Sequence, residues 1–118
     1  MDIKVGEYVR TYNGLIGQVV QITNSNNYAI RIYNGAEYVV RAVIAKHSCN
    51  IIDLIEVGDI VNGRLVLQVD YKKQNVCLLI PLTDTKANTN IMWYGYEDIK
   101  TILTHEQYNA NCYKVKGE

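Results

Sequence analysis

The 118-residue chain carries twelve basic and twelve acidic residues, so its formal net charge at pH 7 is zero. This balance argues against duplex DNA or an anionic membrane as the main partner, because both attract proteins through an excess of positive charge. A hydrophobic fraction of 48% with 20% charged residues is ordinary for a folded protein and excludes wholesale disorder. The length suits one small domain or two small halves.

The sequence predicts neither a secretion signal nor a membrane span. Residues 1–20 lack a basic start followed by an apolar run, and no stretch approaches the roughly 20 apolar residues that a span requires. The cysteines Cys49, Cys77 and Cys112 are odd in number and have no paired spacing, which predicts free thiols in a reducing compartment. We therefore expect a cytoplasmic protein.

Residues 1–54 have the pattern of several short strands. Residues 7–22 predict two strands joined at Asn13-Gly14, a dipeptide that tolerates the positive φ angles of a tight turn. The segments "YAIRIY" (28–33) and "EYVVRAVI" (37–44) alternate and are joined at Asn34-Gly35, giving four antiparallel strands. The polar stretch "AKHSCN" (45–50) predicts a single helical turn, and "IIDLI" (51–55) predicts a closing strand.

Residues 55–118 follow a similar plan. Four further strands are predicted, two on each side of the polar stretch "TDTKANTN" (83–90): "RLVLQVDY" (64–71), "VCLLIPL" (76–82), "IMWYGY" (91–96) and "IKTILT" (99–104). Thr104 and Gln107 have the spacing of a capping box, which predicts a short helix near residues 104–112. The segment "YKV" (113–115) is a candidate last strand.

A near-repeat of seven residues suggests how these strands are organised. Residues 3–9 read "IKVGEYV" and residues 55–61 read "IEVGDIV". A curled unit of about five short strands joined by tight hairpins is how a small SH3-like barrel is built. We therefore predict an all-β fold of two SH3-like small-barrel halves, residues 1–54 and 55–118, with one short C-terminal helix. The alternative is that the phrase is merely a common way to enter a strand after a turn.

No pattern in the chain indicates catalysis or a bound metal. His47 lies beside Ser48 and Cys49, but adjacent residues rarely point at one another, as a nucleophile and its base must. The spacing of His47, Cys49, His105 and Cys112 does not match the tight ligand pairs of structural zinc sites. Glycine-rich phosphate-binding motifs are absent. We expect a non-enzymatic protein with no metal and no cofactor.

The clearest candidate site is aromatic and cationic. Strand alternation places Tyr8, Arg10 and Tyr12 on one face, and Arg41 falls beside Glu37 and Val39 on another strand. An arginine between tyrosines can stack on a planar ligand or bind a phosphate or carboxylate. The predicted ligand-binding residues are Tyr8, Arg10, Tyr12, Arg31, Tyr33, Arg41, Trp93 and Tyr94. The alternative is that the ten tyrosines replace the missing phenylalanines at the rim of the core.

Two segments resemble small proteins encoded by phages and prophages of low-GC Gram-positive bacteria. They are "KHSCNIIDLIEVGDIVNG" (46–63) and "IKTILTHEQYNANCYKV" (99–115), which cover the middle and the C-terminal fifth of the chain. The resemblance supplies no site residues. It implies an accessory phage gene of the kind carried to blunt bacterial defence, acting in the host cytoplasm.

The expected function is a counter-defence binding protein that sequesters or blocks a host defence protein or a nucleotide-type signal. For a nucleotide, Arg10, Arg31 and Arg41 would contact the phosphates, while Tyr8, Tyr12 and Trp93 would stack on the base. A homo-oligomer would enclose such a ligand between subunits. The alternatives are an SH3-like nucleic-acid-binding module in phage gene expression and a structural component of the virion.

Overall fold

The computed structural model describes residues 3–24, 27–32, 35–80 and 90–111. These residues form ten strands in two antiparallel sheets, three 3₁₀ turns and one α-helix. The strands are β1 Tyr8–Thr11, β2 Ile16–Asn24, β3 Asn27–Ile32, β4 Gly35–Val40, β5 Ile44–Ser48, β6 Ile60–Val61, β7 Arg64–Asp70, β8 Asn75–Leu79, β9 Ile91–Gly95 and β10 Ile102–Leu103; the helix is α1 His105–Asn111. Within these ranges no helix is long and apolar enough to cross a membrane.

The first sheet has the strand order β4-β3-β2-β1-β5. Strands β1 to β4 form a meander, and β5 returns after a 3₁₀ turn at Arg41–Val43 to pair with β1, so that Val9 faces Gly17 on one side and His47 on the other. This sheet encloses a core of its own. Its buried members are Ile3, Val9, Val19, Tyr28, Ile30 and Ile44.

The second sheet repeats this order as β10-β6-β7-β8-β9, again with a 3₁₀ turn, Tyr96–Asp98, before its last strand. Its core is separate, with Ile52, Ile55, Val61, Val66, Val76 and Leu78 as buried members. The predicted all-β fold, with two five-stranded units and one short C-terminal helix, is confirmed. Among the described residues both sheets are open. No pairing joins the two outer strands, β4 and β5, of the first sheet, and none joins β9 and β10 of the second.

The repeated phrase forms the same turn in both halves. The Gly6 amide donates to Val19 O at 2.8 Å, as the Gly58 amide donates to Val66 O at 3.0 Å. The Glu7 carboxylate accepts the Lys4 amide at 2.8 Å, and the Asp59 carboxylate accepts the amide three residues before it at the same distance. The two glycines have φ angles of +98° and +97°, a conformation that costs glycine little. The phrase is therefore one structural element used twice.

Residues 45–55 differ from the prediction, which had the helical turn and the strand in the opposite order. "AKHS" belongs to β5, because it pairs with β1. The apolar run Ile51–Leu54 forms a 3₁₀ turn, which buries Ile52 and Leu54 and leaves Asp53 to accept the Ser48 hydroxyl at 2.6 Å. Tertiary pairing thus decides what the local pattern left ambiguous. The predicted Asn34-Gly35 turn, the stretch 83–90 and the strand 113–115 fall wholly or partly outside the described residues.

The start of α1 is fastened to the first hairpin. The Thr104 hydroxyl accepts the Gln107 amide at 3.3 Å, as the capping spacing predicts, and donates to Gly14 O at 2.8 Å. The Gln107 side chain, instead of closing a capping box, donates to Asn13 O at 2.7 Å. The helix cap is therefore also a contact between the two halves.

Replacing Gly14 with alanine tests this contact. Gly14 has φ +89°, and a Cβ there would overlap the Thr104 hydroxyl and lie 2.8 Å from the Cβ of Glu106. Gly6 is the matched control, because its φ is +98° and a Cβ there meets nothing within 4 Å. We expect Gly6→Ala to lower the free energy of unfolding by about 1 to 2 kcal/mol through backbone strain alone. Gly14→Ala should lower it clearly further in urea unfolding, and equal losses would contradict the close approach.

Candidate functional site

Arg10 links the two halves. Its side chain is only 1% exposed, and its Nη1 donates to Leu54 O at 2.8 Å and to Asp59 Oδ2 at 2.5 Å. Its Nη2 donates to Asp59 Oδ1 at 3.0 Å and to Glu106 Oε1 at 2.6 Å. Burial acts to lower the pKa of Arg10, but the hydrogen bonds to Asp59 and Glu106 and the charges of Asp59 and Glu56 outweigh it and raise the pKa above its ordinary value. The guanidinium therefore stays charged, and both of its Nη atoms are bound.

Asp59, on the second half, is the buried carboxylate partner of Arg10. Its side chain is 0% exposed, and both carboxylate oxygens bind Arg10 in the forked geometry that suits a guanidinium. The same carboxylate accepts the amides of Glu56 at 2.8 Å and His105 at 2.9 Å. One buried carboxylate thus joins a strand of the first half to the turn and the helix start of the second.

Partly exposed charges surround this pair. His105 Nε2 lies 3.0 Å from Glu56 Oε1, and Lys46 Nζ lies 2.9 Å from Glu56 Oε2. Ligand atoms of Glu56, His105 and Glu106 lie within 4.8 Å of one another and are of types that could hold a divalent cation. Arg10 and Lys46 are already paired with the two glutamates, so we describe the arrangement as an ion-pair network. The sequence analysis missed this cluster because its members come from four separate segments.

The position of Arg10 corrects its predicted role. Alternation places its side chain on one face of the strand with Tyr8 and Tyr12, but the second half covers Arg10 on that face and binds the guanidinium. Arg10 therefore has no exposed surface for a ligand phosphate. Tyr12 is exposed and lines a smaller cavity of about 350 Å³ on the first half.

The remaining predicted residues are dispersed. Arg31 lies exposed on β3, and Arg41 begins the 3₁₀ turn before β5. Trp93 is partly exposed on β9 opposite Cys77, whereas Tyr94 packs against the second core, as expected of a tyrosine in place of phenylalanine. Tyr33 lies outside the described residues. Ligand binding by these residues stays a prediction, and of the described members of the set only Tyr8 lines the cleft between the halves.

That cleft, of about 750 Å³, opens between the halves. Leu15, Ile16 and Ile32 of the first half line one wall, and Ile99–Leu103 of the second half line the other. Lys100 is the only charged side chain among its described lining residues. The wall that the second half provides could not be predicted from the sequence, because residues 99–104 show only the pattern of a short strand. An apolar, largely preformed cleft of this size is the usual form of a binding site.

Comparison of the chain with protein-family models, with curated proteins and with solved structures found no match.

Replacing Arg10 with methionine removes the cationic partner of the Asp59 carboxylate. Because this leaves a buried, uncompensated carboxylate, we expect the free energy of unfolding to fall by about 3 to 5 kcal/mol. The double variant Arg10→Met/Asp59→Asn should lose less than the sum of the two single changes, since neither charge is then left alone. Urea unfolding of the four proteins measures this coupling, and strictly additive losses would contradict it.

Acid should weaken the fold. The hydrogen bond from His47 lowers the pKa of Glu7, and the hydroxyl of Ser48 lowers that of Asp53. For Glu56, burial raises the pKa, but His105 and Lys46 outweigh it and lower it. A carboxyl with a lowered folded-state pKa contributes stability that is present above its unfolded pKa and is lost as pH falls through the folded value.

We therefore expect stability to decline below the ordinary pKa values of 4.5 for Glu7 and Glu56 and 3.8 for Asp53. Urea midpoints measured from pH 7 down to the acid limit would show the decline. The variant Glu7→Gln should have a shallower profile than the wild type, and an identical slope would contradict the contribution of Glu7.

Proposed function

We propose that this chain is a non-enzymatic counter-defence protein of a phage or prophage, which acts in the host cytoplasm by holding an apolar segment of a host defence protein in the cleft between its halves. The observation that carries the proposal is the cleft itself. The resemblance of residues 46–63 and 99–115 to phage and prophage proteins supports the biological setting.

The chemistry of the cleft favours a protein over a nucleotide-type signal. Phosphate groups need several cationic donors, but Lys100 is the one charged side chain that the described residues place in the cleft, and Arg10 is bound to Asp59. Tyr8 and Tyr96 add rings with an apolar body and a polar tip, which are enriched at the centres of protein interfaces. Apolar side chains of a partner would therefore find matching surfaces on both walls.

The backbone of β10 suggests how such a segment would lie. The Asn62 amide donates to Thr101 O at 3.0 Å, so Thr101 faces the neighbouring strand β6. Backbone groups alternate in direction along an antiparallel strand, so those of Ile102 face away from β6. Among the described residues β10 pairs with β6 alone. An extended segment could add to this free edge while its side chains enter the cleft.

Two leucine variants provide a matched test. Leu103 lines the cleft and is 41% exposed, whereas Leu67 lies outside the cleft lining on β7 and is 39% exposed. The change Leu103→Asp puts a charge into the apolar cleft, which should weaken partner binding by about 30-fold or more. Leu67→Asp should leave binding unchanged.

The measurement is phage plaquing on low-GC Gram-positive hosts that each express one defence system. The wild-type protein and Leu67→Asp should restore plaquing on at least one host, and Leu103→Asp should not. Loss of activity in Leu67→Asp alone would indicate that the binding site lies on the second sheet around Leu67, outside the cleft. Failure of the wild-type protein on every host, with the protein present in purified virions, would favour the structural alternative.

A further inference from the structure

Strand β4 forms an exposed outer edge of the first sheet. Among the described residues it pairs only with β3, and its surface includes Tyr38, which is 73% exposed, and the exposed Val40. Edge strands are usually protected by lysine, proline or a bulge, because their unpaired backbone groups can pair with another chain. The sequence "GAEYVV" contains neither residue, the β3–β4 register is unbroken, and Glu37 is the one charged side chain of the strand.

The sequence around this edge is complementary to its own reverse. In residues 36–42, "AEYVVRA", an antiparallel pairing centred on Val39 places Glu37 opposite Arg41 and Tyr38 opposite Val40 of the second copy. Val40 has extended backbone angles, φ −89° and ψ 156°, so the Cβ of Arg41 continues the alternation on the Glu37 face. The register is therefore the same when read from either copy, as a two-fold axis requires.

The paired side chains are of types that stabilise neighbouring strands. Opposite charges, and an aromatic ring beside a β-branched side chain, are both favourable cross-strand pairs. The Glu37 and Arg41 pairing occurs twice because of the symmetry. Within its own chain, and among the described residues, the Arg41 guanidinium makes one long hydrogen bond, of 3.4 Å, to Ile44 O. Because the net charge of the chain is zero, two copies do not repel each other at long range.

We propose that two copies of this chain associate through antiparallel β4–β4 pairing centred on Val39, with Glu37 of each copy bound to Arg41 of the other. The pairing joins the two first sheets into one continuous sheet. The occupant of this edge is a second copy rather than a foreign peptide, because the charge pattern is complementary to itself. The proposal is independent of the cleft, which lies between the halves of one chain.

A charge exchange tests the register. Sedimentation equilibrium over a concentration series should show a monomer–dimer equilibrium for the wild-type protein. Glu37→Arg and Arg41→Glu each create two like-charged pairs per dimer, so each should weaken dimerisation by about tenfold or more. The double variant E37R/R41E restores opposite charges and should return the dissociation constant close to the wild-type value.

Two further variants complete the experiment. Glu97→Arg makes the same charge change at an exposed site on the second half and should leave the equilibrium unchanged. Tyr38→Lys, at a β4 position that is 73% exposed, should dissociate the dimer without touching the core. Circular dichroism confirms that each variant is folded.

Three results would overturn the proposal. A wild-type protein that is monomeric throughout the series would do so, as would a dimer that Tyr38→Lys and both single charge variants leave intact. A dimer that the single variants weaken but the double variant fails to restore would exclude this register.

Discussion

The buried pair of Arg10 and Asp59 is the constraint on which the arrangement of the halves depends. Each charge would be strongly unfavourable inside the protein without the other, so only relative positions that bring them together are stable. Asp59 also accepts the amides of Glu56 and His105, which ties the same contact to the turn and the helix of the second half. The two apolar cores are separate, and the directional polar contact determines how one half sits on the other.

The two copies of the seven-residue repeat, at residues 3–9 and 55–61, contribute differently to the ion pair of Arg10 and Asp59. In both copies an acidic side chain accepts the amide three residues before it, but the copies use their remaining bonding capacity differently. Glu7 binds His47 within its own sheet, whereas the shorter Asp59 binds Arg10 of the other half. Three residues beyond each acid stand Arg10 and Asn62, and Asn62 accepts the amides of Lys100 and Thr101 in its own half. The first copy thus supplies the arginine, and the second copy supplies the buried carboxylate, of the ion pair that joins the halves.

Local sequence patterns were sufficient for much of the fold. The hairpin at Asn13-Gly14, the two units and the helix start at Thr104 follow from turn chemistry, alternation and capping, all of which act over a few residues. The order of strand and turn in residues 45–55 was wrong, because pairing with β1 is a long-range effect. Alternation also placed Arg10 beside Tyr8 on one face but could not show what covers that face. The cleft depends on the same missing information, since its two walls come from segments that are far apart in the sequence.

The cleft and the ion pair are energetically coupled, because the cleft walls belong to the halves that Arg10 and Asp59 hold together. A partner that touches Leu15 on one wall and Leu103 on the other binds only while the halves keep their relative position. The free energy of partner binding then adds to the stability of the native arrangement of the two halves, as for any ligand that binds only the native state. Loss of Arg10 would conversely weaken partner binding without altering a single side chain of the cleft lining. Under the proposed function, the buried charge would therefore contribute to recognition through geometry, while the contact itself would be made by apolar surface.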